Sequence, residues 1–203
     1  MTALTLIRHG ETDWNLDQRI QGSTDIPLND TGRAQAREAA NLLRTRAETE
    51  HLVVVSSDLS RARETAEIIA RELALEAPRQ YAGLRERSYG EAEGVRTSEF
   101  AERWGDWHRA EVPGAEPWPA LRRRALQALG AAVTDLRRQT APRQASLIVV
   151  THGALIREVM RHASAGAFPP VGQRLANGSA HEFLFEKSSL RLTQPSKPEP
   201  ARV

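Results

Sequence analysis

The stretch "LTLIRHGETDWN", residues 4–15, changes from apolar to charged within five residues. Its apolar start, Leu4–Ile7, is too short for a helix and is typical of a buried parallel strand. Arg8, His9 and Gly10 follow at once, so a cationic pair and a glycine stand where this strand ends. In an open α/β sheet, ligands bind outside the carboxyl ends of the strands. The stretch therefore predicts both the first strand of a sheet and one side of a binding site.

Two further apolar runs, Leu52–Val55 and Ser146–Val150, are similarly short and rich in β-branched residues. Between and after the runs, apolar residues recur with helical spacing on one side. These stripes are Ala36, Ala40, Leu43 and Ala47; Leu59, Ala62, Ala66, Ile69 and Leu73; Leu126, Leu129, Val133 and Leu136; and a helix from Ala154 to His162. Strands that alternate with helices predict an α/β fold, a three-layer sandwich with a mostly parallel central sheet and helices on both faces.

The length of 203 residues suits one well-cored domain. Composition predicts a single domain over residues 1–192 and a mobile, Pro-rich tail over 193–203. Residues 180–185 predict a late strand, at an edge of the sheet. Residues 81–118 are less regular and contain three of the four tryptophans, so they predict a helical insertion over the active-site end. These tryptophans either line a substrate entrance or pack the insertion.

Charge and composition narrow the choice of partners. A formal net charge of +2 is too small to predict a nucleic-acid partner. No apolar run approaches the roughly 20 residues that span a bilayer, and the N-terminus leads directly into a strand, so we expect a cytoplasmic protein without membrane contact. The absence of cysteine removes thiolate nucleophiles and sulfur-ligated zinc. Nearly all cations are arginine, whose planar fork suits phosphate and carboxylate.

Polar residues also follow the other two predicted strands. The third ends in Thr151-His152-Gly153, and the second leads into "SSDLSRARETA", which places Arg61 in the first turn of the next helix. Arg8, His9, Arg61 and His152 are therefore expected to converge at one end of the sheet. These four groups are cationic or readily become so, and each close pair repels by on the order of a few kcal/mol. We therefore expect an anion as their partner. Phosphoryl fits best, because arginine can hold its oxygens in pairs and a glycine after each histidine lets main-chain amides approach. Sulfate and carboxylate remain alternatives.

Histidine at this position predicts covalent chemistry. A neutral imidazole can attack phosphorus and carry the phosphoryl group, provided that its other nitrogen donates to a fixed acceptor such as a main-chain carbonyl. His9 is the better nucleophile candidate, because Arg8 precedes it and a polar loop follows. His152 is then a stabiliser of the transferring group. The leaving alkoxide needs a proton from a carboxylic acid. The candidates within "LRERSYGEAEG" are Glu86, Glu91 and Glu93.

Other chemistries find little support in the sequence. It contains neither H-E-x-x-H nor another ligand cluster, so no metal is expected. The phosphate-binding pattern G-x-x-x-x-G-K-[ST] is also missing. The basic run "LRRRAL", residues 121–126, predicts a solvated helix face, and Asn177-Gly178-Ser179 predicts a turn before the last strand.

The motif "LIRHGETDWN" resembles the R-H-G-[EQ]-[TS]-x-x-N motif of the histidine phosphatase superfamily, in the branch that contains cofactor-dependent phosphoglycerate mutases and many small phosphatases. "RIQGSTDIPLNDTGRAQA", "SSDLSRARETA", "LRERSYGEAEG" and "VTHGALIR" follow in the family's order and cover most of the chain through Arg157. The resemblance implies that His9 is the phosphorylated nucleophile and Glu86 the proton donor. It implies further that Arg8, Arg61 and His152 complete the phosphate pocket. The residues around the substrate would then be Asn15, Gln21, Gly22 and Gly153.

Within the resembled family, we expect a phosphomonoester hydrolase that acts on a small phosphorylated metabolite without metal or cofactor. Mutases generally have a longer insertion, more cations and a lysine at the position of Thr97. The alternative is a phosphoglycerate mutase, which needs a 2,3-bisphosphoglycerate primer. A non-catalytic phospholigand-binding protein is a third class, but it would be expected to lack His9 or Glu86, and both are present. The resemblance also allows a homodimer.

Overall fold

The computed structural model describes residues 1–170, 173–186 and 189–194. Its strands are β1 (Thr2–Arg8), β2 (Leu52–Ser56), β3 (Arg79–Gln80), β4 (Ser146–Thr151), β5 (Ala180–Glu186) and β6 (Ser189–Gln194). They form one sheet in the order β3-β2-β4-β1-β5-β6. The pairs β1–β4, β2–β4 and β2–β3 are parallel, and β5 is antiparallel to both of its neighbours. The mostly parallel sheet predicted from the sequence is confirmed.

Helices cover both faces of this sheet. They are α1 (Asp13–Leu16), α2 (Asp30–Thr49), α3 (Ser60–Glu72), α4 (Thr97–Trp104), α5 (Trp118–Thr140) and α6 (Gly153–Ala163). The predicted stripes of α2 and α3 pack on one face, around Ile7, Ile148 and Val150. The stripes of α5 and α6 pack on the other face, around Leu6 and Val149. In the part of the chain that the structure describes, no helix has the length and apolarity needed to cross a membrane.

The last two strands differ from the prediction. The strand at 180–185 does not lie at an edge, because β5 stands between β1 and β6. The sequence did not reveal β6 as a separate strand, since its short apolar alternation adjoins a Pro-rich segment. The strand ends at Gln194, two residues inside the segment predicted to be a mobile tail. The rest of that predicted tail, 195–203, lies outside the described residues.

The insertion at residues 81–118 is less helical than predicted. It contains α4 and two 3-10 helices, Ala82–Leu84 and Gly90–Ala92, joined by loops. Its tryptophans pack on neighbouring tyrosine, phenylalanine and histidine rings, with 4.4 Å between the ring centroids of Phe100 and Trp107. An aromatic cluster thus replaces a regular helical layer in this part of the chain.

Candidate active site

Strand register brings the two histidines together. Arg8, the last residue of β1, pairs with Thr151, the last residue of β4. The residue that follows each strand is a histidine. The main-chain N of His9 donates to the carbonyl of Thr151 at 2.9 Å. The imidazole rings of His9 and His152 therefore lie with their centroids 5.2 Å apart, and both side chains are buried. The predicted convergence of these two residues is a consequence of in-register parallel pairing.

The ring of His9 is fixed in one tautomer. Its Nδ1 lies 2.7 Å from the carbonyl oxygen of Gly10. A carbonyl can only accept, so Nδ1 carries the hydrogen and Nε2 has the free lone pair. Burial, followed by the charges of Arg61 and Arg8, holds the pKa of His9 well below its usual value. The free ring is therefore neutral at neutral pH, as a nucleophile must be.

Arg61 supplies a buried guanidinium from the first turn of α3. Its Nη1 and Nη2 donate to the carbonyls of Thr24 and Gly22 at 2.8 and 2.7 Å. Burial lowers the pKa of Arg61 to about 10, against an opposing effect of the Glu86 carboxylate, so the group remains charged at neutral pH. The two carbonyls orient the fork without cancelling its charge.

Arg8 supplies the second guanidinium, held by the carbonyl of Leu175. Burial lowers the pKa of Arg8, and the carboxylate of Glu86 is the largest opposing influence. Gly153 packs against this side chain, because a Cβ at position 153 would lie 3.4 Å from the Arg8 Nε. The start of α6 therefore lies in van der Waals reach of the guanidinium.

Several buried nitrogens of this cluster have no hydrogen-bond partner within the described residues. They are Nε of Arg8, Nε of Arg61 and both ring nitrogens of His152. Leaving a buried polar group unpaired costs about 1–3 kcal/mol, more when it is charged. Burial, followed by the charge of Arg61, also holds the pKa of His152 well below its usual value. The cluster is therefore complementary to an anion with several acceptor oxygens.

Glu86 is the only one of the three candidate proton donors that the structure places at this cluster, where its charge acts on both arginines. Its Oε2 accepts from the main-chain N of Ala154 at 3.0 Å, and its Oε1 accepts from that of Leu155 at 3.2 Å. These donors are free N–H groups at the start of α6, whose N-cap residue His152 makes no side-chain cap. Within the described residues, Oε2 accepts a single hydrogen bond and so keeps a position at which it can carry a proton.

The other two carboxylates lie elsewhere. Glu91 is exposed, and the side chain of Glu93 points at the loop Gly22–Thr24. The sequence could not separate the three, because all belong to an irregular segment whose path is not set by a repeating pattern.

Gly10 serves a different purpose from the one predicted. Its main-chain N donates to Thr65 Oγ1 at 3.1 Å, so that amide is not available to a bound anion. A Cβ at position 10 would lie 2.3 Å from the carbonyl oxygen of Gly32. Gly10 is therefore required for close packing between the end of β1 and the start of α2, and the prediction that its amide approaches the anion is wrong.

The remaining predicted substrate residues border the cluster. Gln21 is buried, and its Oε1 has no partner within the described residues. Gly22 has a φ of 57° and offers its carbonyl to Arg61. The Oδ1 of Asn15 accepts from Asn177 Nδ2 at 3.1 Å, and that amide also donates to the carbonyl of His9 at 3.0 Å. Asn15 is thus tied to the nucleophile through Asn177.

The roles of two supporting residues were not predicted from the sequence. Asn177 was assigned only to a turn, yet it joins the main chain of His9 to Asn15. Arg124 belongs to the basic run that predicted a solvated helix face, and that prediction is wrong for this residue. Its guanidinium donates to both carboxylate oxygens of Glu116 and to the carbonyls of Gly83, Arg85 and Glu86. A motif such as "LRRRAL" gives no signal for which of its arginines faces inward.

A metal centre finds no candidate in the described part of the chain, where no three His, Asp or Glu side chains form a group that could hold an ion. The cationic charge of the cluster comes from arginine instead.

Comparisons with known proteins identify a matching family, similar sequences and a similar structure. The sequence model of the histidine phosphatase superfamily (branch 1) matches residues 4–196. The uncharacterized phosphatase PhoE of Bacillus subtilis (strain 168) is 36% identical over 192 residues, which cover 95% of this chain and 93% of PhoE. Phosphoglycerate mutase-like protein 4 of Arabidopsis thaliana is 34% identical over 196 residues, 90% of this chain and 80% of that protein. The structure of a mycobacterial glucosyl-3-phosphoglycerate phosphatase with VO3 superposes with a TM-score of 0.78 at 26% identity, over 97% of this chain and all of that chain.

Proposed function

The chain belongs to branch 1 of the histidine phosphatase superfamily, and we propose that it hydrolyses phosphomonoesters of small metabolites through a phosphohistidine formed at His9. One observation carries this proposal. The Nε2 of a neutral, oriented imidazole lies in a buried cluster with two guanidinium groups, whose Nε atoms lack partners within the described residues. Relatives named as phosphatases support hydrolysis over other uses of such a site.

In the first half-reaction, Arg8 and Arg61 bind the phosphoryl oxygens and orient phosphorus toward Nε2 of His9. The N–P bond forms as the bond from phosphorus to the ester oxygen breaks. The departing alkoxide takes the proton of the Glu86 carboxyl and leaves as the alcohol. His152 donates to a phosphoryl oxygen, where negative charge must be stabilised in the transition state.

In the second half-reaction, the carboxylate of Glu86 takes a proton from water. The water oxygen bonds to phosphorus, the N–P bond breaks, and inorganic phosphate forms. Glu86 is again protonated and His9 again neutral, so the cycle closes without a metal or resident cofactor. We propose accordingly a metal-independent, cytoplasmic enzyme whose partners are small phosphorylated substrates, with a homodimer allowed.

A mutase remains the second candidate because of the similarity to phosphoglycerate mutase-like protein 4. Two further cations, Arg157 and Arg174, act on the pKa of Arg8 and would suit a second acidic group on a substrate. A mutase would interconvert 3- and 2-phosphoglycerate only in the presence of 2,3-bisphosphoglycerate. A phosphatase would release inorganic phosphate without it.

The proposal is tested by phosphate release from p-nitrophenyl phosphate, sugar phosphates, phosphoglycerates and phosphoserine in the presence of EDTA. Acid- and base-quenched reactions with labelled substrate would show a base-stable, acid-labile phosphoryl group on the protein. His9→Ala should lose the label and slow turnover by at least about 1,000-fold. His162→Ala, at an exposed position on α6, is the matched control and should behave as wild type. Undiminished turnover by His9→Ala would refute the covalent mechanism.

A further inference from the structure

Glu93 grips the loop Gly22–Thr24 with both carboxylate oxygens. Oε1 accepts from the main-chain N and the hydroxyl of Ser23, both at 2.9 Å. Oε2 accepts from the main-chain N of Thr24 at 2.9 Å and from its hydroxyl at 2.5 Å. Oε1 also accepts from the main-chain N of Tyr89 at 3.0 Å. Five hydrogen bonds therefore converge on one side chain, and four of them come from the loop.

The same loop also binds Arg61. The carbonyls of Gly22 and Thr24 accept from its two terminal nitrogens. The orientation of the guanidinium thus depends on where those two oxygens stand. Because both are neutral acceptors, they orient the fork while its charge stays available to an anion. A carboxylate in direct contact with Arg61 would instead compete with the phosphoryl group.

The fit between the carboxylate and the loop is close. Gly22 has a φ of 57°, and a Cβ at that position would lie 2.1 Å from Oε1 of Glu93. The segments on either side of this contact are also joined by main-chain hydrogen bonds that do not involve the Glu93 side chain. Gly94 N donates to the carbonyl of Ile20 at 2.7 Å, and Ile20 N donates to that of Val95 at 3.0 Å. Loss of the Glu93 contacts should therefore loosen the loop Gly22–Thr24, while Ile20 stays bonded to Gly94 and Val95.

The donors around Glu93 favour its ionised form. Partial burial raises the pKa of Glu93, but hydrogen bonds from Thr24, Ser23 and Tyr89 outweigh that effect, so the pKa lies below its usual value. All five partners donate, so an ionised carboxylate, which only accepts, matches them. A glutamine would place an amide NH2 group against at least one N–H donor.

We infer that Glu93 is a positioning residue for phosphoryl binding, which acts through the loop Gly22–Thr24 on the guanidinium of Arg61 and does not touch the substrate. This inference rests on the proposed function, because it concerns the same phosphate pocket. It gives Glu93 a role different from that of proton donor, for which the sequence made it one of three candidates.

The test compares Glu93→Gln with wild type in two assays, hydrolysis of p-nitrophenyl phosphate and binding of inorganic phosphate by calorimetry. We expect kcat/KM to fall by about 10- to 100-fold, since small displacements of a charge-stabilising group have effects of this size. Phosphate should bind at least about tenfold more weakly. Glu93→Asp, which keeps the charge, should recover part of both losses. Glu102→Gln, at an exposed position in α4, is the matched control.

A double-mutant cycle separates positioning from a general structural effect. In an Arg61→Ala background, Glu93→Gln should change kcat/KM by no more than about twofold, because its route of action is gone. An equal loss in both backgrounds would overturn the inference, and so would unchanged phosphate binding by Glu93→Gln. If wild type binds phosphate but hydrolyses no ester, the proposed function fails. The effect of Glu93→Gln on phosphate binding then still decides this inference.

Discussion

Two regions of the candidate site are held in different ways. The floor, which consists of Arg8, His9, Arg61 and His152, stands where strands end and helices begin, and strand register sets the main-chain positions of Arg8, His9 and His152. The wall, residues 83–93, has little regular structure and is held by side chains that bond to main-chain atoms. A floor made by the sheet resists change as long as the sheet is intact. A wall held by single side chains can be displaced by one substitution, so mutations can test the difference between the two regions.

The largest expected effect lies in the floor. Arg61→Ala removes a buried guanidinium that binds the phosphoryl oxygens, and kcat should fall by about 100- to 1,000-fold, as for loss of one transition-state donor. The sheet should remain folded, since strand pairing does not involve this side chain. Steady-state kinetics with p-nitrophenyl phosphate and the far-ultraviolet circular dichroism spectrum check both points. Arg63→Ala, which removes an exposed arginine from the same helix, is the control. A floor variant that unfolds the sheet would contradict the proposed separation.

The next effect lies in the wall. Arg124→Ala removes the donors that hold the carbonyls of Gly83, Arg85 and Glu86, so the proton donor should lose its fixed position. We expect kcat to fall by about 10- to 100-fold. Its neighbour Arg123 is exposed, and Arg123→Ala should leave kcat unchanged.

A chemical test distinguishes loss of proton transfer from general damage to the pocket. Esters with a good leaving group, such as dinitrophenyl phosphate, need little help from an acid. The loss caused by Arg124→Ala should therefore be smaller with dinitrophenyl phosphate than with an alkyl phosphate. Equal losses with both esters would mean that the wall contributes to phosphate binding and does not act by holding Glu86 in position.

The same contrast explains what the sequence could predict. The floor was predictable because a short apolar run followed by a polar residue locates a strand end, and parallel strands bring such ends together. The positions of Arg8, His9 and His152 follow from that rule alone. The contacts of Glu93 and Arg124 could not be predicted, because the side chain of a residue in a loop or on a basic helix face has no periodic signal. Only the three-dimensional path of the chain shows that Arg124 faces inward while Arg123 does not.

One expected source of acid sensitivity lies in the sheet. His181 on β5 is buried beside β1, and burial lowers its pKa to about 4. In the unfolded chain a histidine has a pKa of about 6.5, so between pH 7 and pH 5 the unfolded chain takes up a proton that the folded chain does not. The free energy of unfolding should therefore fall by about 2 kcal/mol over this range through His181 alone.

Urea denaturation at pH 7 and pH 5 measures this difference. His181→Gln should lose about 2 kcal/mol of the pH dependence, whatever the substitution does to stability at pH 7. His162→Gln, at an exposed position, should keep the full dependence. An unchanged dependence in His181→Gln would show that the acid sensitivity arises elsewhere, with the floor histidines His9 and His152 as the remaining buried pair in the cluster.

The smallest expected effect concerns a link between the wall and the segment that joins β2 to α3. Asp58, which follows β2, accepts from Nε and Nη2 of Arg85 at 2.7 and 2.6 Å. The hydrogen bonds of Arg85 hold the pKa of Asp58 below its usual value, against the effect of burial. The side chain of Arg85 is 50% exposed, so solvent screens the pair and Asp58→Asn should cost no more than about 1 kcal/mol. Because Arg124 also holds the wall, kcat should change by less than about twofold, a small fraction of the Arg124→Ala effect. Kinetics at low and high salt check this expectation. A tenfold loss of kcat in Asp58→Asn would mean that the wall depends for its position on the segment that leads to Arg61, and the two regions would then have to be treated as one.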